Sequence, residues 1–227
     1  MTRSDYGKPS LVRDGKVHAL SMVQPFDEAY VQEFVFSHPE CLPIPEIDDR
    51  YVPLVPVCKE FQTPAGSIDI LMVTPGGDLV LIETKLWRNP EARRMVVPQI
   101  LDYAKELRQW DYSDLQRQVN ARLSQSGNSL DEIASSGGAD LDYSEADFVD
   151  AVSRNLRRGR FLLLIVGDGI REGAAAIGEC LTDSAHVDFD LAMVELKFFE
   201  HSELGTIVQP RIPARTVEIK RLVLDFA

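Results

Sequence analysis

Gly66-Ser67-Ile68-Asp69-Ile70-Leu71-Met72-Val73-Thr74-Pro75-Gly76-Gly77-Asp78-Leu79-Val80-Leu81-Ile82-Glu83-Thr84-Lys85 carries the strongest structural signal in the chain. Ser67 to Val73 and Leu79 to Thr84 are β-rich runs, and Pro75-Gly76-Gly77-Asp78 between them is a turn, so a hairpin is predicted. Each run carries one acid among apolar neighbours, Asp69 in the first and Glu83 in the second. Side chains alternate along a strand with period two, which sends Glu83 and Lys85 to the same face. Pairing the runs across the turn brings Asp69 and Glu83 close together.

Outward from the hairpin, Asp27 to Ser37 reads as a helix, with Tyr30, Val31, Phe34 and Val35 at helical spacing and Asp27 as N-cap. His38-Pro39 ends it, because the residue before proline avoids the helical region. A proline-rich connector (Pro43, Pro45, Pro53, Pro56) follows, with a strand within Tyr51 to Phe61. Residues 1–24 read as a loose arm with one short strand at Lys16 to Met22. On the other side, Pro90 starts a helix over Glu91 to Trp110, with Val97, Ile100, Leu101, Ala104 and Leu107 on one face. Pro98 kinks it or marks its true start. Two short helices, Asp114 to Ser124 and Ser144 to Leu156, flank a Ser/Gly-rich loop. Phe161 to Val166 is an apolar strand, and Gly167-Asp168-Gly169 leads into a helix over Glu172 to Leu181. Val187 to Phe199, Thr206 to Ile212 and Val217 to Phe226 read as strands. No internal repeat is found. The pattern is α/β (α+β): an arm (1–24), then one domain (25–227) with an acidic helical insert at 111–158 and C-terminal strands at 187–226.

The 227 residues hold 24 Lys plus Arg against 36 Asp plus Glu, a formal net charge of −12, and are 44% hydrophobic. That composition is globular and excludes wholesale disorder. The longest apolar run, Phe161 to Val166, falls far short of the roughly 20 residues a bilayer span needs. The polar start carries no signal-peptide core, and Cys41, Cys58 and Cys180 show no CxxC spacing, so a reducing cytoplasm and no membrane are expected. The charge is patchy. Residues 111–150 hold nine acids against Arg117 and Arg122, whereas residues 85–108 hold six bases against three acids, and Arg154, Arg157, Arg158 and Arg160 follow. The acidic surface suits a protein partner or a homodimer and argues against coating nucleic acid through net charge.

Two carboxylates and an ammonium on one apolar sheet face are costly unless something compensates them. A divalent cation does so, and Mg²⁺ (or Mn²⁺) takes one or two carboxylates plus waters and phosphate oxygens. In that reading Asp69 and Glu83, with the backbone carbonyl of Thr84, hold the metal. The metal acidifies a bound water, and Lys85 orients that water or neutralises charge on the phosphorane. A bare D-x13-E-x-K spacing equally fits a solvent-facing Glu83–Lys85 pair on an edge strand with Asp69 at a turn. Trp87, Arg88, Arg93 and Arg94 follow directly and suit phosphate contact or base stacking; a solvated helix face is the plain alternative. Gly167-Asp168-Gly169 lacks GxGxxG spacing and reads as structural. His18, His38, His186 and His201 have no metal spacing.

The arrangement resembles the PD-(D/E)XK nuclease superfamily, the restriction-endonuclease-like fold, in which the acid lies in the second strand and E-x-K ends the third. The proline-plus-acid that names the motif is absent, because Ile68 precedes Asp69, a feature many members share. The segment Val97-Pro98-Gln99-Ile100-Leu101-Asp102-Tyr103-Ala104 looks like the Gln-x3-Tyr helix of exonuclease-like branches, and Leu86 to Arg94 looks like uncharacterised bacterial members. The resemblance spans about residues 27–107. It implies a central mixed sheet flanked by helices, with Phe161 to Val166 as the fourth core strand. It further implies metal-dependent hydrolysis of phosphodiesters in nucleic acid, DNA in preference to RNA. Asp69, Glu83 and Lys85 would be catalytic, with Gln99 and Glu28 assisting and Glu28 reaching the metal; Glu33 is the fallback. Arg88, Arg93, Arg94 and Tyr103 would contact nucleic acid. A catalytically silent scaffold that keeps the fold and binds a protein is the alternative. A third reading makes the acidic insert a lid that blocks nucleic acid.

Overall fold

The computed structural model describes residues 9–23, 27–86, 90–138, 144–170, 188–203 and 205–215, with residues 90–94 described by backbone alone. In chain order, three short strands come first: β1 (Ser10–Arg13), β2 (Lys16–Ala19) and β3 (Ser21–Val23). Helix α1 (Glu28–Ser37) follows, then the short α2 (Ile44–Ile47) and the strands β4 (Val55–Thr63), β5 (Gly66–Val73) and β6 (Leu79–Leu86). Four helices come next: α3 (Pro90–Leu107), α4 (Tyr112–Leu123), α5 (Ser129–Ser136) and α6 (Glu145–Arg158). The described chain closes with β7 (Phe161–Asp168), β8 (Asp190–His201) and β9 (Gly205–Arg215).

One mixed sheet of seven strands organises these elements, in the order β3-β8-β7-β6-β5-β4, with β9 also on β8. The expected hairpin is present: β5 and β6 pair antiparallel from Val73↔Leu79 to Ile70↔Ile82. The long crossover through α3 to α6 then lays β7 parallel to β6, and β8 runs parallel to β7. Strands β6 and β7 are apolar along nearly their whole length because helices cover both faces of the sheet's centre. One face packs Leu71, Leu79, Leu81, Leu163 and Met193 against α3 to α6. The other packs Ile70, Met72, Val80, Ile82, Leu164 and Val194 against Val31 and Val35 of α1. The architecture is α/β (α+β), as the sequence pattern predicts.

Local chemistry sets the helix ends. Asp27 caps α1 by accepting from the Tyr30 N–H at 2.8 Å. Asp111 and Asp114 cap α4 reciprocally, and α6 starts at Ser144 with Glu145 and Asp147 in its first turn and ends on Arg157, Arg158 and Gly159 at φ 68°. Helix α3 runs through Pro98 without a break.

Three expectations change. Within residues 9–23 the arm is not loose: β1 and β2 form a hairpin, and β3 joins the main sheet by pairing Val23 with Phe198 of β8. The Ser/Gly-rich loop contains α5, because Leu130 and Ala134 are fully buried in the core and their burial outweighs weak local propensity. The acidic insert is no lid, since Leu115, Val119, Phe148, Val152 and Leu156 belong to the main core. The helix over Glu172 to Leu181, the strand Val217 to Phe226 and Cys180 lie outside the described residues. Among the described residues, Cys41 and Cys58 are free thiols, and no helix is long and apolar enough to cross a membrane.

Candidate active site

The β5–β6 ladder ends at Ile70↔Ile82. Beyond it the two strands part, and Asp69 fills the gap with its side chain: Asp69 Oδ2 accepts from both the backbone N–H and the hydroxyl of Thr84, each at 2.7 Å. Strand β6 stays bonded to β7 on its other edge, through Thr84↔Val166 and Lys85↔Gly167. That continuous support holds Glu83 and Lys85 rigidly while Asp69 approaches from the open side.

Glu83 is 1% exposed, on the sheet face that α3 covers. Its Oε1 lies 3.0 Å from Lys85 Nζ. Its Oε2 is buried with no hydrogen-bond partner, and among the described residues it is the one carboxylate oxygen in that condition. A buried, unpartnered carboxylate oxygen is expensive enough to call for an explanation, and a bound cation would supply one. Burial drives the Glu83 pKa up to about 7, and nearby Asp69 pushes the same way against the pull of Lys85. Asp69 is also raised, again by burial first, with the two Thr84 bonds opposing. For Lys85, burial works against the charge, but Glu83, Glu28 and Asp69 together outweigh it and raise the pKa. Lys85 is therefore a firm ammonium.

Helix α1 supplies the third acid. Glu28 Oε1 accepts from the Leu86 N–H at 3.1 Å, and Oε2 lies 3.4 Å from Lys85 Nζ. Glu28 is thus the acid of the first helix that reaches the site. The fallback Glu33 points elsewhere, where an ion pair with Lys59 holds its pKa low.

Behind Asp69, Tyr103 donates to the Ser67 carbonyl at 2.7 Å and Gln99 donates to the Tyr103 hydroxyl at 2.6 Å. This chain ties α3 to β5 two residues before Asp69. It requires Gly66, whose φ of 131° suits glycine and where a Cβ would sit 3.3 Å from the Tyr103 ring. The expectation that Tyr103 contacts nucleic acid is corrected: at 2% exposure it is buried and serves as an anchor. Arg88 lies outside the described residues, and the side chains of Arg93 and Arg94 are among those not described.

The structure therefore brings together Asp69, Glu83, Thr84, Lys85 and Glu28, with Gln99 and Tyr103 one layer behind. Thr84 acts through its N–H and hydroxyl, which hold Asp69. Among the described residues, no three His, Cys, Asp or Glu side chains form a ready cage for a metal ion. Glu28 is engaged by Lys85 and the Leu86 N–H, which leaves two carboxylates. That donor set, with the orphaned Glu83 oxygen, fits Mg²⁺, which needs few protein ligands and keeps its waters.

Three contributors escape the sequence reading. Gly167 lies beside Lys85 in the ladder, and a Cβ there would collide with the Lys85 carbonyl. Gln32 of α1 donates to the Asp69 carbonyl and to Glu60 of β4; the only sequence sign is Gln32 four residues after Glu28, on the same helical face. Compared with protein-family models, curated proteins and solved structures, the chain has no significant match.

Proposed function

We propose that the protein is a metal-dependent nuclease of the PD-(D/E)XK kind, hydrolysing phosphodiester bonds in DNA. One observation carries the reading: the buried Glu83 Oε2 has no partner, beside Asp69 and the Lys85 ammonium. The order of elements supports it, with α1, then β4, β5 and β6 antiparallel, then α3, then β7 parallel to β6.

Mg²⁺ or Mn²⁺ held there would supply an acidified water and charge stabilisation at the phosphorus. Asp69 and Glu83 are the holding residues, and Thr84 fixes the orientation of Asp69. Hydrolysis joins a water oxygen to phosphorus and releases one ester oxygen, so negative charge grows on the phosphoryl oxygens. Lys85 stays protonated and answers that charge; it is not the base. Glu28 holds Lys85 at the mouth of the site, and Gln99 with Tyr103 keeps β5 in place.

Incubation of the pure protein with single- and double-stranded DNA plus Mg²⁺ or Mn²⁺ tests the reading. Cleavage by wild type that Lys85→Ala abolishes is the expected result. No cleavage by wild type, or equal cleavage by the variant, overturns it.

A catalytically silent scaffold with a protein partner is the second reading. The observation favouring it is that Lys85 already sits between two carboxylates and compensates part of their charge without a metal. Failure to take up Mg²⁺ or Mn²⁺ at millimolar concentration would select it.

A further inference from the structure

The antiparallel ladder between β4 and β5 keeps one register from Thr63↔Gly66 to Cys58↔Leu71, yet the pair Glu60/Asp69 is missing between Phe61↔Ile68 and Lys59↔Ile70. Glu60 sits at φ 52°, the left-handed region that a residue with a side chain adopts only when its surroundings hold it there. What holds it is visible. Glu60 Oε1 accepts from Gln32 Nε2 at 2.7 Å, and Oε2 accepts from the Ser67 hydroxyl at 2.8 Å. The same Gln32 Nε2 donates to the Asp69 carbonyl at 3.0 Å, taking over for the missing ladder bond.

The break has a consequence for direction. On a regular strand Ile68 and Ile70 share a face. Here Ile68 packs with Leu71 and Val73 under α3, whereas Ile70 packs with Met72 on the α1 side. The strand rotates at Asp69, and the carboxylate turns into the gap beside Thr84.

We propose that Gln32 and Glu60 are positioning residues that hold β5 rotated at Asp69 and so aim its carboxylate at Thr84 and the unpartnered oxygen of Glu83. The metal part of this proposal rests on the nuclease reading; the aiming part does not. Glu60 is exposed and Gln32 half-buried, so replacing them disturbs little packing.

The test uses the full chain with Gln32→Ala and Glu60→Gly. Amide exchange of Thr84, without metal, reads the aim of Asp69, and Mn²⁺ titration calorimetry reads its use. In both variants the Thr84 amide should exchange about tenfold faster or more, while Leu81 and Ile82 amides keep their wild-type rates. Mn²⁺ affinity should fall by roughly 10–100-fold, the usual effect of losing a residue that orients a ligand. Glu60→Gly should keep or raise the melting temperature, since glycine is at ease at φ 52°. Unchanged Thr84 exchange in both variants overturns the proposal, as does a uniform acceleration of all amides, which would make the pair a fold staple. Faster Thr84 exchange in a protein whose wild type binds no Mn²⁺ upholds the aiming and overturns the nuclease reading alone.

Discussion

Strand β6 separates two polar clusters that are chemically alike and differently finished. Just before its start, Asp78 is nearly buried and accepts from Asn155 Nδ2 at 3.0 Å, with Arg50 Nε at 3.5 Å; Asn155 also donates to the Gly77 carbonyl at 3.0 Å. Arg50 and Tyr51 continue the network to Asp190. At the other end, roughly 16 Å away at strand rise, buried Glu83, half-buried Asp69 and Lys85 form a second group of carboxylates and a cation. Burial raises the carboxyl pKa at both ends. The first cluster leaves no described side-chain atom of its members buried without a partner, whereas the second leaves Glu83 Oε2 bare. A completed network specifies a fold, whereas an unpartnered buried oxygen calls for an explanation in strain, chemistry, water or an ion.

Mutations at the two clusters should have different consequences. Removing the cation of the incomplete cluster should have the largest effect: Lys85→Ala should lower the cleavage rate about 10²–10³-fold or more, as expected for a donor aimed at developing charge, while urea unfolding stays cooperative. If Lys85→Ala instead unfolds the protein and leaves cleavage per folded molecule intact, the two clusters are of one kind. At the completed end, Asn155→Ala takes a donor from the Gly77 carbonyl and from Asp78, which keeps Arg50, and should reduce unfolding free energy by about 1–3 kcal/mol with Mn²⁺ affinity unchanged. Urea titration and calorimetry on the same sample check both halves.

Gly167→Ala sharpens the geometry of the incomplete end. A Cβ there meets the Lys85 carbonyl, so strand β7 must shift, at about 1–3 kcal/mol, and activity should fall with stability. Equal activity would show that Lys85 tolerates displacement.

The smallest effect concerns pH. Burial pushes folded Glu83 up to about 7, against an ordinary value of 4.5. Between those values the folded state binds a proton that the unfolded state does not, so this residue's contribution to stability is full below pH 4.5 and declines as pH rises to 7. The slope is at most about 1.4 kcal/mol per pH unit. Glu83→Gln should flatten that part of the stability profile, measured by urea unfolding at several pH values. Mn²⁺ affinity of wild type should rise over the same interval, because the metal needs the ionised carboxylate. A variant profile parallel to wild type would place the titration elsewhere, for instance on Asp78, whose pKa is raised as well.

Much of this was legible in the chain. The Ser67 to Thr84 hairpin follows from two apolar runs around a Pro-Gly-Gly-Asp turn, and helix α1 from its Asp27 cap and apolar spacing. Strand β7 follows from an apolar run too short for a core helix. Period-two alternation places Glu83 and Lys85 on one face. Helix α5 was hidden because its local sequence is loop-like and only burial of Leu130 and Ala134 stabilises it. Strand β3 was hidden because its partner, β8, is far away in sequence.

The hairpin, the main helices and the types of side chain at the site are written locally in the chain, since they depend on spacing and caps within a few residues. The tertiary structure decided the direction of Asp69, the choice of Glu28 over Glu33, the anchoring role of Tyr103 and the need for glycine at 167. Each of those depends on a contact between elements far apart in the chain. The rotation of β5 at Asp69 goes further, because Ile68 and Ile70 lie on opposite faces, against the alternation their own strand predicts. A ladder broken at one pair, held by Glu60 and by Gln32 from another element, is invisible to any local period.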